Sequence, residues 1–113
     1  MSTEKKVAMA IFDETIIELI GEYKNMLKEN KVQRYEFLQE FYINLDKEKK
    51  ELFDIFLEEF AIDIVSIVLG GLDGSTKLKE FFGGFSVNYN NEEITPYLQD
   101  NFLAICEDYL SNK

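Results

Sequence analysis

Two carboxylate pairs are the first residues in this chain whose spacing could do chemistry. Asp54 and Glu58, and Glu59 and Asp63, are each four apart, which puts both members on one helix face. Such pairs can hold Ca²⁺ or Mg²⁺ through oxygen donors, or divide the acid and base roles of a reaction. A carboxylate-bridged di-metal bundle also draws on Glu-x-x-His, and the chain contains no histidine. The same absence removes Ser-His-Asp and Cys-His arrangements and any imidazole base. Cys106 is the single cysteine, so neither an intrachain disulfide nor a thiolate zinc site can form. It follows Phe102 by four, adjoins Ile105, and has no basic sequence neighbour to lower its pKa; it is expected as a small buried hydrophobe. The carboxylate pairs are expected on a solvated helix face. Asp63 sits inside an apolar run and must reach a helix terminus, a partner such as Arg34 or a tyrosine hydroxyl, or the surface. No catalytic residue, metal ligand or cofactor is expected, and a carboxylate-dependent metal-binding enzyme is the weakest of the functional alternatives.

Gly71-x-x-Gly74 has the form of a loop that clamps single-stranded RNA backbone, but Asp73 inside it repels phosphate. Ser75-Thr76-Lys77 lacks the Gly-Lys-Ser/Thr order of a phosphate-binding loop, and Asp73, Ser75 and Lys77 do not make the ligand pattern of an EF-hand. Helix-stop and turn chemistry accounts for these glycines.

Charge is distributed unevenly. Residues 51–112 hold twelve carboxylates and two lysines, Lys77 and Lys79, and so carry the full formal charge of −10. Residues 1–50 hold nine basic and ten acidic side chains and nearly cancel. An acid excess opposes nucleic-acid backbone and anionic lipid and favours a basic protein partner. The acidic half also holds Phe81, Phe82, Phe85, Tyr89 and Tyr97 in its most irregular stretch. Aromatic rings among carboxylates suit an interface with lysine and arginine, although the phenylalanines also suit a seal between a hairpin and the helices. The candidate partner-binding residues are Asp73, Glu80, Tyr89, Glu92, Glu93, Tyr97 and Asp100.

These residues need elements to position them, and helical periodicity dominates. Phe12, Ile16, Leu19, Ile20, Tyr23, Met26 and Leu27 predict an amphipathic helix over 4–29, ending near Asn30, with Gly21 at a close helix crossing. Val32, Tyr35, Leu38, Phe41, Tyr42 and Leu45 predict a second helix, and Asn44 or Asp46 a cap for the third. The third helix, 47–69, begins amphipathic and turns apolar nearly all round, as a central helix entering the core would. Gly70-Gly71 should stop it, and a short helix should follow over Lys77 to Phe82. Phe85 to Tyr89 alternates with period two, and Asn90-Asn91 can turn it into a small hairpin spanning 85–94. Thr95-Pro96 should open the last helix, with Leu98, Phe102, Ile105 and Tyr109 as its core stripe.

The expected fold is mainly α: one domain over 1–113, a compact bundle of four major helices plus one short helix, with a two-stranded hairpin near 85–94. No signal peptide is expected, because Asp13 and Glu14 interrupt the first apolar stretch. No membrane span is expected either, because Asp63 and Gly70-Gly71 break the run around Ile62 to Leu72. A cytoplasmic location follows, and the richness in Lys, Glu, Ile and Asn points to a low-GC bacterium or its phage. The expected function is a non-enzymatic acidic binding protein of the immunity or inhibitor type, which neutralises a basic protein partner. The alternative is a structural or assembly protein, a helical homo-oligomer paired through the nearly neutral residues 4–45, marked by an exposed apolar face.

Overall fold

Apolar side chains four residues apart build the first rod. The computed structural model describes residues 1–29 and 35–113. Helix α1 (Thr3–Phe12) starts at Ser2, whose hydroxyl accepts the Lys5 amide at 3.2 Å. A π-helical segment, Asp13–Leu19, then leads into α2 (Ile20–Glu29) without a break. An α-helix turns about 100° per residue, so a four-residue spacing drifts by about 40° at each step. The wider i→i+5 turn takes up that drift and keeps Phe12, Ile16 and Ile20 buried in succession. Thr15 assists by donating its hydroxyl to the Ile11 carbonyl at 2.6 Å. The expected helix over 4–29 is therefore one rod with a π-helical middle. Its expected end at Asn30, and Val32 and Arg34 beyond it, lie outside the described residues.

The short helix α3 (Glu36–Ile43) precedes α4 (Lys47–Asp73), the longest element. Asp46 caps α4 by accepting the Lys49 amide at 2.9 Å, as its position suggested. Gly70-Gly71 do not stop the helix. It runs on to Gly74, whose φ of +91° is the left-handed conformation a helix stop needs. Gly70 and Gly71 serve close packing instead: a methyl group there would collide with Thr76 and Gln99, or with Leu78. Gly21 has open space around it, so the expected close crossing at that point is absent.

No helix forms over 77–82. Leu78 bridges to Phe81 across a tight turn in which Lys79 takes φ +43°. The hairpin is present: β1 (Asn88–Tyr89) pairs antiparallel with β2 (Glu92–Glu93), Tyr89 opposite Glu92, around Asn90 and Asn91 at φ +48° and +66°. Helix α5 is Leu98–Ser111. The architecture is mainly α, with α1, α2, α4 and α5 as the larger helices, α3 as the short one, and this small sheet.

The main core joins α1, the π-helical segment, α4, the hairpin exit and α5 through Ala8, Phe12, Ile16, Ile62, Leu69, Ile94, Leu98, Phe102 and Cys106. Phe12 meets Phe102 and Tyr109 edge-on, with ring centres 6.4 and 5.4 Å apart. A smaller layer joins α2, α3 and the first half of α4 around Leu27 and Tyr42. There Gln39 donates to the Met26 carbonyl at 2.7 Å and the Tyr42 hydroxyl donates to Asp54 at 3.2 Å. The molecule measures 48 × 33 × 23 Å with a radius of gyration of 16.8 Å. A close-packed chain of this length would have a radius of gyration of about 13 Å, so the smaller layer extends as a limb.

Helix α4 was expected to be dry at its C-terminal end. It buries only one side there, through Ile62, Ser66 and Leu69, while Phe60, Ile64, Ile67 and Val68 stay about half exposed. The reason is the number of covering elements: α5, with the π-helical segment and α2, covers one flank of α4, and nothing in the described chain covers the other.

The glycines provide a direct test. Gly21→Ala should raise stability by about 0.5–1 kcal/mol, since it lies in an open helical site. Gly70→Ala and Gly71→Ala should lower it by about 1–3 kcal/mol through overpacking. Thermal unfolding followed by circular dichroism checks the opposite signs; a loss at Gly21 or a gain at Gly70 would contradict this packing.

Candidate functional site

The surface that gathers the acidic and aromatic residues begins at a polar junction between α4 and α5. Asp73, buried at the end of α4, accepts the Gln99 amide on Oδ2 at 2.7 Å. It thereby caps α5 from another element, a task that the helix's own N-cap residue, Tyr97, leaves undone. The Gln99 side chain donates to the Ser66 carbonyl at 3.0 Å and accepts from the Ser75 hydroxyl at 2.6 Å. Gln99 therefore ties the start of α5 to the last turns of α4 and to the loop that follows.

The next ties hold the loop and hairpin. Gly74 and Gly84 pass so closely that a Cβ on either would strike the other's backbone. The Phe85 amide donates to the Leu72 carbonyl at 2.7 Å, and the Ile94 amide to Val87 at 2.8 Å. Thr95 was expected to cap α5. It belongs to the hairpin instead: its hydroxyl donates to the Phe85 carbonyl at 3.0 Å and accepts the Val87 amide at 3.3 Å. These bonds bring the end of α4, the loop, the hairpin and the start of α5 to one end of the molecule.

Of the candidate residues, Glu80, Tyr89, Glu92, Glu93, Tyr97 and Asp100 are exposed at this end. Asp73 stands apart, buried in the junction as a capping residue. The phenylalanines do not seal the hairpin. Phe81 and Phe82 are 64% and 69% exposed, and Tyr89 and Tyr97 57% each. Lys77 Nζ lies 4.8 Å from the centre of the Phe82 ring, so an ammonium group already rests on one of these rings. Tyr89 also lines an open groove of about 760 Å³ against α1, together with Lys6, Val7, Ile11 and Glu14.

The other acidic residues play different parts. Among the described residues, ion pairs within the chain involve Glu58, which receives Lys24 and Lys113 at 2.6 Å. Burial alone would raise the Glu58 pKa; the hydrogen bonds from Lys113 and Lys24, with the Lys24 charge, outweigh it and hold the pKa below the ordinary value. Asp63 reaches the surface. No three carboxylates or thiols converge on a metal-holding arrangement among the described residues. Burial pushes the Cys106 thiol up to about 11, so it is protonated at neutral pH and acts as core. No described helix is long and apolar enough to cross a membrane.

Sequence reasoning missed a second surface. Leu52, Phe56, Phe60, Ile64 and Ile67 form a stripe along α4 and are between 48% and 59% exposed. The rings of Phe41, Phe53, Phe56 and Phe60 run along it in series, with successive centres 5.6–6.4 Å apart. The signal was present in the sequence: apolar residues all round a helix can supply two faces, and only one need meet the core.

Comparison with known proteins found no matching family model, curated protein or solved structure.

Two stability tests follow. Asp73→Ala should cost about 1–2 kcal/mol by removing the cap of α5, and Asp73→Asn less, because an acceptor oxygen remains. Equal losses for both would contradict the capping role. Glu58 has a lowered folded-state pKa, so its contribution is present above the unfolded value and is lost as pH falls through the folded one. Glu58→Gln should cost about 1–3 kcal/mol at neutral pH, less than a fully dry pair, because both lysines touch water. Urea unfolding from pH 7 down to pH 3 should show the difference from wild type shrinking with acid; a constant difference would contradict the assignment.

Proposed function

We propose that this chain is a non-enzymatic binding protein that neutralises or inhibits a basic protein partner, in the manner of an immunity protein or inhibitor, in the cytoplasm of a bacterium or a phage-infected cell. One observation carries the proposal: Phe81, Phe82, Tyr89 and Tyr97 project more than halfway into solvent at the same end as Glu80, Glu92, Glu93 and Asp100. Large rings left exposed on a framework held by hydrogen bonds and close glycine contacts favour a preformed docking face. In such a face the carboxylates speed encounter with a cationic surface, and the rings hold the complex once formed. Lys77 over Phe82 illustrates the contact that a partner's lysine or arginine would make. The buried, protonated thiol and the absence of histidine support a binding role over a catalytic one.

The test is kinetic. Glu92→Lys with Glu93→Lys should slow association with the partner captured from the native host about tenfold or more at low salt. Melting temperature should barely change, because both positions are exposed on the hairpin. Added salt should slow the wild type toward the variant. An association rate indifferent to both changes would remove steering by this surface.

A further inference from the structure

The apolar stripe on α4 is independent of the acidic end, and its charges indicate what covers it. The stripe runs from Leu52 to Ile67, about 22 Å of helix. Lys49 and Asp63 are both exposed, each seven residues from Phe56, one on either side. Seven residues are close to two turns, so both fall on the same flank of the helix as Phe56. The first turn of α4 is basic on balance, with Lys47, Lys49 and Lys50 against Glu48, while Glu59 and Asp63 follow in its middle. Such a helix complements a reversed copy of itself.

We propose that two copies of this chain dimerise through α4, antiparallel, with a two-fold axis at Phe56. Phe56 packs against the same residue of the second copy. Leu52 faces the second copy's Phe60, and Lys49 faces its Asp63. Each of the last two contacts occurs twice by symmetry. A parallel pair would set Lys49 against lysine and Asp63 against aspartate.

The net charge of −10 does not forbid this arrangement. The end of α4 at Asp73 lies about 25 Å along the helix from Phe56, so the two acidic ends sit about 50 Å apart. That is several times the Debye length of about 8 Å at physiological salt, and their repulsion is screened. The homo-oligomer expected through residues 4–45 thus moves to residues 49–63, centred on Phe56, because this is where apolar rings are left uncovered and the flanking charges are self-complementary. The dimer presents two acidic ends, each free for its own partner.

Sedimentation of the full chain over a range of concentrations is the test. The wild type should pass from 13.2 kDa to twice that mass as concentration rises. Phe56→Glu should remain monomeric with an unchanged helical spectrum. Lys49→Glu and Asp63→Lys should each weaken dimerisation about tenfold, and the two together in one chain should restore it. Under mild oxidation Phe56→Cys should cross-link to its counterpart, while Ile67→Cys should not. A wild type that stays monomeric, a dimer that ignores Phe56→Glu, a double charge variant that stays weak, or a cross-link at Ile67→Cys would each overturn the proposal. A stripe covered by a different protein would appear as the first of these outcomes.

Discussion

The junction between Asp73 and Gln99 is the constraint on which the acidic end depends. Helix α5 begins after Pro96 with no side-chain cap of its own, so its first amides need an acceptor from elsewhere. A buried carboxylate at the end of α4 supplies one, and the Gln99 side chain then bonds to α4 and to the loop beyond it. The residues from Ser75 to Tyr97 contain two two-residue strands, which alone would be marginal in water. They hold their shape because both ends of the segment are joined at one point and the glycine contacts close the middle. Rings can stay exposed on such a frame, where a looser one would fold them inward.

Helix α4 links the two surfaces. One side supplies Ile62, Ser66 and Leu69 to the core, and its end supplies Asp73 to the junction. The opposite side carries a row of phenylalanines that the described chain leaves open to water. Between the two layers, Glu58 gathers Lys24 from α2 and Lys113 from the segment after α5. That carboxylate is used internally; among the described residues Glu80, Glu92 and Asp100 are not, and Glu93 only accepts the Thr95 hydroxyl at 3.4 Å. The division of labour among acidic residues follows burial rather than position in the chain.

Much of the fold was legible in the residues. Apolar spacing located the helices, Asp46 announced the start of α4, and Asn90-Asn91 marked the hairpin turn. Cys106 read as core because nothing near it could stabilise a thiolate, and burial bears that out. The misses share a physical cause: a residue's partner lay far away in sequence. Gly70 and Gly71 resembled a helix stop because the side chains that crowd them, from Gln99, Thr76 and Leu78, are set by tertiary packing. Thr95 resembled a helix cap because its hydrogen bonds to Phe85 and Val87 exist only once the hairpin closes. Asp73 resembled surface charge for the same reason. The apolar run in α4 resembled a core helix because composition cannot count how many neighbours a helix will have. Six of the seven candidate site residues gather at one exposed end because they are close in sequence within one tied segment.

The most direct measurement of the functional account is an amide hydrogen-exchange footprint of the complex with the native partner. The account predicts slowed exchange at 76–97 and in the first turn of α5, with the stripe along α4 unchanged relative to the free protein. Protection along α3 and the first half of α4, with the hairpin exchanging as it does in the free chain, would contradict it.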